Sequence, residues 1–193
     1  MITEYHFPTQ IYIKDIPNAL QLNQYLEQKI IQWSQQDKGE QKTNAGGWHS
    51  KTNMNQKEEY NPLTRELFNM QDEIYQKEHL SLKTVLGNMW ANINYPGNFN
   101  RPHLHPNSLF SGVYFIKTPQ KSGNFMIYEP RPGVQYTMPN RKEVKLPPEL
   151  WREVQYEPVA GRCIMFPSWL WHEVKPNQSN DIRISVSFNF LQR

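Results

Sequence analysis

Five short segments between residues 85 and 191, VLGNMWANINY, LFSGVYFIK, NFMIYE, RCIMFP and RISVSFNFL, most restrict the folds open to this chain. Each is rich in β-branched and aromatic residues and is bounded by Pro, Gly or Asn, so each reads as a strand. In the last of them Ile184, Val186, Phe188 and Phe190 alternate with Arg183, Ser185, Ser187 and Asn189. Side chains on a strand alternate between faces, so this one is apolar on one side and polar on the other. A polar inner face on a final strand is expected to line something. Short strands following a helical preface suggest a jelly-roll-like barrel or sandwich with helices packed outside.

The preface spans about residues 1–84. In NALQLNQYLEQKIIQW, from Asn18 to Trp33, Leu22, Leu26 and Ile30 fall four apart and Trp33 follows three further on, which predicts a helix. A second helix is expected in NPLTRELFNMQDEIYQKEHLS, with Leu63, Leu67, Met70 and Ile74 on one stripe and Pro62 in its first turn. Residues 129–160 interrupt the strand series. They are too long and Pro-rich for a tight hairpin, and long insertions of this kind often serve as binding loops or lids.

A length of 193 residues suits one domain, with a preface of about 1–84 and a strand-rich core of about 85–193. The 15 prolines outnumber the 9 glycines, which favours a β-rich fold with stiff loops over a helical bundle. With 21 basic against 18 acidic residues and no dense Lys/Arg block, charge argues against nucleic acid as a partner. Cys163 is the sole cysteine, excluding an intramolecular disulfide and a CxxC-type zinc site. The opening MITEYHFPTQIYIKD lacks a signal-peptide pattern, and no apolar run approaches the ~20 residues that span a bilayer. A soluble, cytoplasmic protein is expected.

Two histidines, His103 and His105, stand in RPHLHPNSLFSGVYFI just ahead of a strand. On extended chain, residues two apart project to one side, so both imidazoles can reach one ion. A lone pair of this kind is a weak signal and needs a third ligand. His172, in GRCIMFPSWLWHEV, follows a strongly apolar strand and is placed to supply it from a distant part of the same barrel. Three ligands on one face leave open positions, as in non-haem iron oxygenases. Arg183 and Ser185, on the polar face of the last strand, would be costly to bury without an anion, which a ligand carboxylate would supply.

At these residues the chain resembles the Fe(II)- and 2-oxoglutarate-dependent oxygenases. It is most similar to a small branch with the run His-x-His-Pro-Asn-Ser followed by Ser-Gly-Val-Tyr. The matching pieces are NINYPGNFNRPHLHPNS, SGVYFIK, SGNFMIYEPRPG, GRCIMFPSWLWHEV and RISVSFNF, together with GGWHS at residues 46–50. The resemblance implies a double-stranded β-helix, the jelly roll, and assigns Fe(II) to His103, His105 and His172. It implies that Arg183, helped by Ser185, holds the distal carboxylate of 2-oxoglutarate, with Asn92 and Asn94 as further cosubstrate contacts. Oxidative decarboxylation with O2 would release succinate and CO2 and hydroxylate a substrate C–H bond. Prolyl-hydroxylase-like action on a protein or peptide, or on a small molecule, is expected.

One departure stands out. The wider family carries a carboxylate where this chain has His105, so three neutral imidazoles leave the metal one unit more positive. Two other readings of the trio stay open: a zinc site generating hydroxide for hydrolysis, and a redox-silent jelly roll that only binds a ligand. Three unrelated loop histidines would be the bland alternative. Gly123, Gly161 and Pro167 read as structural. Arg131 reads as a surface ion pair or turn, and Trp169 and Trp171 as core packing. Tyr114 can face either side of its strand. His6, His49 and His79 carry no signal, and GGWHS has no evident role beyond packing the preface on the barrel.

Overall fold

The computed structural model describes residues 1–81, 84–134, 136, 139–142 and 144–191. In chain order the elements are β1 (Tyr12–Asp15), α1 (Ala19–Gln36), β2 (Asn44–Ala45), β3 (Trp48–His49), α2 (Asn61–Lys77), β4 (Val85–Asn94) and β5 (Phe99–His103). They continue with β6 (Phe110–Lys117), β7 (Phe125–Tyr128), β8 (Glu153–Tyr156), β9 (Arg162–Pro167), β10 (His172–Val174) and β11 (Arg183–Leu191). Two antiparallel sheets result, a major one ordered β1-β9-β6-β11-β4-β3 and a minor one ordered β2-β5-β10-β7-β8. Both expected helices form, and all five expected strands are present.

The alternation in β11 explains the layering. Ile184, Val186, Phe188 and Phe190 are fully buried on the outer side of the major sheet, against Leu26 and Ile30 of α1 and Leu63, Leu67, Met70 and Ile74 of α2. A second apolar cluster, with Val113, Phe115, Phe125, Ile127, Ile164, Phe166 and Leu170, fills the space between the sheets. Tyr114 belongs to the helix side, where its hydroxyl donates to Asn23 Oδ1 of α1 at 2.6 Å. The polar residues of β11 are left facing the interior between the sheets, and β6 and β4 flank that strand on either side.

The preface is more than helical. It contributes β1 to one edge of the major sheet, β3 to the other edge, and β2 to the minor sheet. The GGWHS stretch is thereby explained. Gly47 has φ +72°, and a Cβ there would lie 2.5 Å from Ile93 O, so only glycine lets β3 come alongside β4. Trp48 packs edge-on to Trp33 and donates its indole N–H to Asp37 O. The Ser50 hydroxyl accepts the Ala91 N–H, continuing the attachment past the end of the strand.

Residues 129–160 contain β8, the edge strand of the minor sheet, and, among the described residues, a 3-10 turn at Pro148–Leu150. Arg131 forms the expected surface ion pair, with Glu129. The expectation for Trp169 and Trp171 is overturned. Both are about half exposed, and the core position between them is taken by Leu170, because the turn after β9 points alternate residues outward.

Candidate metal and cosubstrate site

The minor sheet places the first two histidines. His172 opens β10, between β5 and β7, and lies directly opposite His103 at the end of β5. A bulge in this pairing, before Val174 and Asn100, sets the register that brings the two side chains together. Directly paired residues share a face, so both imidazoles enter the interior. His105 lies just beyond β5, where its backbone N–H donates to Ser168 O at 3.0 Å. Ser168 N–H in turn donates to Leu109 O, so the Pro-Ser turn after β9 ties down the loop that carries His105.

The ring centroids are 4.2 Å apart for His103 and His172, 4.9 Å for His103 and His105, and 5.0 Å for His105 and His172. The nitrogens available as ligands all lie within 4.8 Å of one another. His103 Nδ1 is 2.7 Å from Arg101 O, and His172 Nδ1 is 2.8 Å from Leu170 O. A carbonyl only accepts, so both Nδ1 atoms carry the proton and both Nε2 atoms keep a lone pair for a metal. Burial pushes all three imidazoles below the usual histidine range. For His105 the pKa falls to about 3, with repulsion from His103 as a smaller cause. They are therefore neutral at pH 7, the form that ligates. No carboxylate joins the trio among the described residues; the neighbouring Glu173 is engaged by Lys175 and the Tyr128 hydroxyl.

The cavity these rings line runs to β11 and β4. Its walls include Asn92, Arg183, Ser185 and Ser187, with Trp90, Val113, Phe115, Phe125 and Phe166 as apolar sides. Arg183 pairs with Asn94 across the sheet and Ser185 pairs with Asn92, so the four residues singled out from the sequence form two adjacent cross-strand pairs. Asn94 is buried in this row, its amide turned to Asn100 Oδ1 at 3.4 Å.

Arg183 is the largest fully buried side chain among the described residues. Its Nη1 donates to the carbonyls of Ser122 at 2.5 Å, Gly123 at 3.2 Å and Lys175 at 3.4 Å. Gly123 has φ +94°, and a Cβ there would sit 2.1 Å from Lys175 O, so this carbonyl cage requires glycine. Nη2 has no partner, and neither do Asn92 Oδ1 and Asn94 Oδ1. Burial lowers the Arg183 pKa to about 10, which leaves it charged at pH 7. An unpaired buried cation costs several kcal/mol, and neutral carbonyls cannot cancel its charge. A bound carboxylate fits this place, and three neutral imidazoles facing it fit a divalent metal.

Sequence reasoning missed Trp90. It lines the cavity, stacks on His49 at 5.6 Å and 16° between planes, and meets His105 at 5.6 Å and 57°. Its position four residues before Asn94 and two before Asn92 on one strand face was the available signal. Ser187 was equally open to extension of the β11 alternation.

These features describe a two-sheet jelly roll in which one cavity holds a cluster of three histidines able to bind a metal and a buried arginine with an unpartnered nitrogen. A model of the family described as "Putative 2OG-Fe(II) oxygenase" matches residues 88–189, and the chain belongs to that family. It is an Fe(II)- and 2-oxoglutarate-dependent dioxygenase that uses O2. No curated protein matches the sequence. Among solved structures, a prolyl-4-hydroxylase from Pseudomonas putida is similar with a TM-score of 0.68 and 19% identity, covering 96% of this chain and 94% of that one. A prolyl hydroxylase from Trichoplax adhaerens, solved with a hypoxia inducible factor oxygen degradation domain peptide fragment, gives 0.66 and 12% over 94% and 83%. The α-ketoglutarate-dependent epimerase SnoN from nogalamycin biosynthesis gives 0.68 and 12% over 95% and 76%. Likeness at such identities establishes the fold, and these proteins catalyse different reactions on it. No helix among the described residues is long and apolar enough to cross a membrane.

Proposed function

We propose that His103, His105 and His172 hold the Fe(II), that Arg183 and Ser185 hold the distal carboxylate of 2-oxoglutarate, and that the protein hydroxylates an aliphatic C–H of a peptide, as a prolyl hydroxylase does. The observation that carries the reading is the buried, unpartnered Arg183 Nη2 in the cavity that the three imidazoles line. Its planar fork suits a carboxylate, to which it can make charge-assisted bonds. Ser185 Oγ supplies a further donor, and the amide oxygens of cavity-lining Asn92 and of neighbouring Asn94, which lack a partner, can accept from ligand groups that carry hydrogen. Val113, Phe115, Phe125 and Phe166 keep the space dry, which strengthens each of these contacts.

When bound, iron and 2-oxoglutarate supply the oxidative decarboxylation, to succinate and CO2, that drives C–H hydroxylation. The chain's part is to hold and shield. The domain is single, and Tyr128 N–H donates to Trp171 O, which ties the end of β7, just ahead of residues 129–160, to the residue before His172. Exposed Trp169 and Trp171, just ahead of His172 in the chain, offer apolar contacts for a peptide. The peptide class is favoured by the likeness to two prolyl hydroxylases over most of the chain.

The test is anaerobic addition of Fe(II) and then 2-oxoglutarate to metal-free protein. A visible metal-to-ligand charge-transfer band is expected, and then succinate release stimulated by proline-containing peptides. No band despite tight metal binding would move the assignment to a zinc site or a redox-silent jelly roll. Stimulation only by methylated nucleic acid would overturn the peptide class.

The histidine at position 105 carries its own expected result. His105→Asp returns one negative charge to the metal shell and should raise 2-oxoglutarate turnover severalfold by making the iron easier to oxidise. A dead or metal-free variant would mean that the cavity is built around a third imidazole.

A further inference from the structure

The three imidazoles are not supported alike. His103 and His172 each have a backbone carbonyl on Nδ1, which fixes both tautomer and ring plane. No hydrogen bond reaches the His105 ring from any described residue, although its backbone is tied to Ser168. What the ring has is an aromatic neighbour. Trp90 lies 5.6 Å from it, tilted by 57°, and Trp90 is itself stacked with His49 at 5.6 Å with the planes only 16° apart. His49 is itself anchored, its Nδ1 donating to Ser50 O at 2.6 Å, and it is buried on the β3 edge opposite Asn92. The Gly46-Gly47 turn permits that close approach, since a Cβ at Gly47 would strike Ile93 O.

We infer that Trp90 is the positioning residue for His105 and that His49, delivered by the GGWHS stretch, holds Trp90 in place. The inference rests on His105 being a metal ligand, as proposed above. Physically, an imidazole without a hydrogen bond on its second nitrogen is free to turn about its side-chain bonds and to exchange tautomers. Each of those freedoms is lost on metal binding and weakens it. A rigid indole against the ring removes the rotational part in advance, which is the service that a carbonyl performs for the other two histidines. The same stack ties an edge strand of the N-terminal preface to the metal centre. It explains why a chain with most of its site in residues 88–189 also uses residues 46–50.

The test is metal affinity, read with Co(II) by competition against a chromophoric chelator, alongside the Co(II) visible spectrum and the melting temperature of each metal-free variant. Trp90→Ala is expected to weaken Co(II) binding about 10- to 100-fold, the usual range for groups that orient a ligand, and to shift the ligand-field bands. His49→Ala should weaken it severalfold, and Trp90→Phe should recover most of the loss. In a His105→Asp background the Trp90→Ala change should cost less than twofold, because the short carboxylate does not reach the indole. A general structural defect would cost the same in both backgrounds. Wild-type affinity and spectrum in Trp90→Ala and His49→Ala, or an equal loss in the Asp background, would overturn the inference. If Trp90→Ala does not fold, His49→Ala and Trp90→Phe decide it. His105→Ala serves as the separate check: unchanged Co(II) affinity there would refute the ligand assignment itself.

Discussion

Replacing His172 by alanine is expected to abolish metal binding. This side chain sits at the centre of the minor sheet, opposite His103 and in ring contact with both other imidazoles. Removing it would take away one of the three proposed ligands, and the most enclosed of them. Even outer groups that merely orient a ligand are worth 10- to 100-fold in affinity, so loss of a ligand should cost at least about 100-fold. His103→Ala should behave alike. His79→Ala, at an exposed turn, is the control and should leave the metal content at one ion per chain. The measurement is iron content by elemental analysis after anaerobic loading and desalting, with circular dichroism to confirm the fold. A full complement of iron in either His103→Ala or His172→Ala would remove the trio from consideration as the metal site.

For Arg183 the expected effect is of comparable size and opposite selectivity. Arg183→Met keeps the bulk of the side chain and the iron but removes the buried charge. Deleting one partner of a buried, hydrogen-bonded charge pair costs about 2–5 kcal/mol, which is roughly 30- to 5,000-fold in the dissociation constant of 2-oxoglutarate. Arg183→Lys should fall between, since it keeps the charge and loses the planar fork. The apo protein gives a second signature. Arg183→Met leaves the carbonyls of Ser122, Gly123 and Lys175 without their Nη1 donor, so the apo melting temperature should fall. In the wild type 2-oxoglutarate should raise the melting temperature by mass action, and in Arg183→Met that rise should vanish. Equal cosubstrate affinity in the two proteins would give the guanidinium another purpose.

Most of the large elements are legible in local sequence. α1 and α2 announce themselves because a helix buries one stripe, and Leu26, Ile30, Leu63, Leu67, Met70 and Ile74 repeat at its period. Strands β4, β6, β7, β9 and β11 do so because each buries at least one face. The missed strands are short or edge elements whose extended form is imposed from outside. Asn44–Ala45 and Trp48–His49 have two residues each, and Phe99–His103 carries Arg, Pro and two polar side chains. Pairing with β5, β4 and β10 respectively makes them strands; composition does not. Glu153–Tyr156 is likewise an edge strand, exposed at alternate positions.

The same division runs through the site. Residue type and spacing single out His103, His105, His172, Arg183 and Ser185, because histidines two apart before a strand and an arginine on the inner face of a last strand are chemically expensive to leave unused, while Asn92 and Asn94 follow only from the family resemblance. The sequence also carries the warning that His105 replaces a carboxylate. Long-range pairing settles the rest. The bulge between β5 and β10 brings His172 against His103, the Gly123 turn cages the guanidinium from one side only, and β3 slides beside β4 to press His49 on Trp90 and Trp90 on His105. None of these contacts joins residues that are close in sequence. A chain's local pattern says which faces are apolar, while the distances between functional groups on different strands follow from register, and register is chosen by the packing of the whole sandwich.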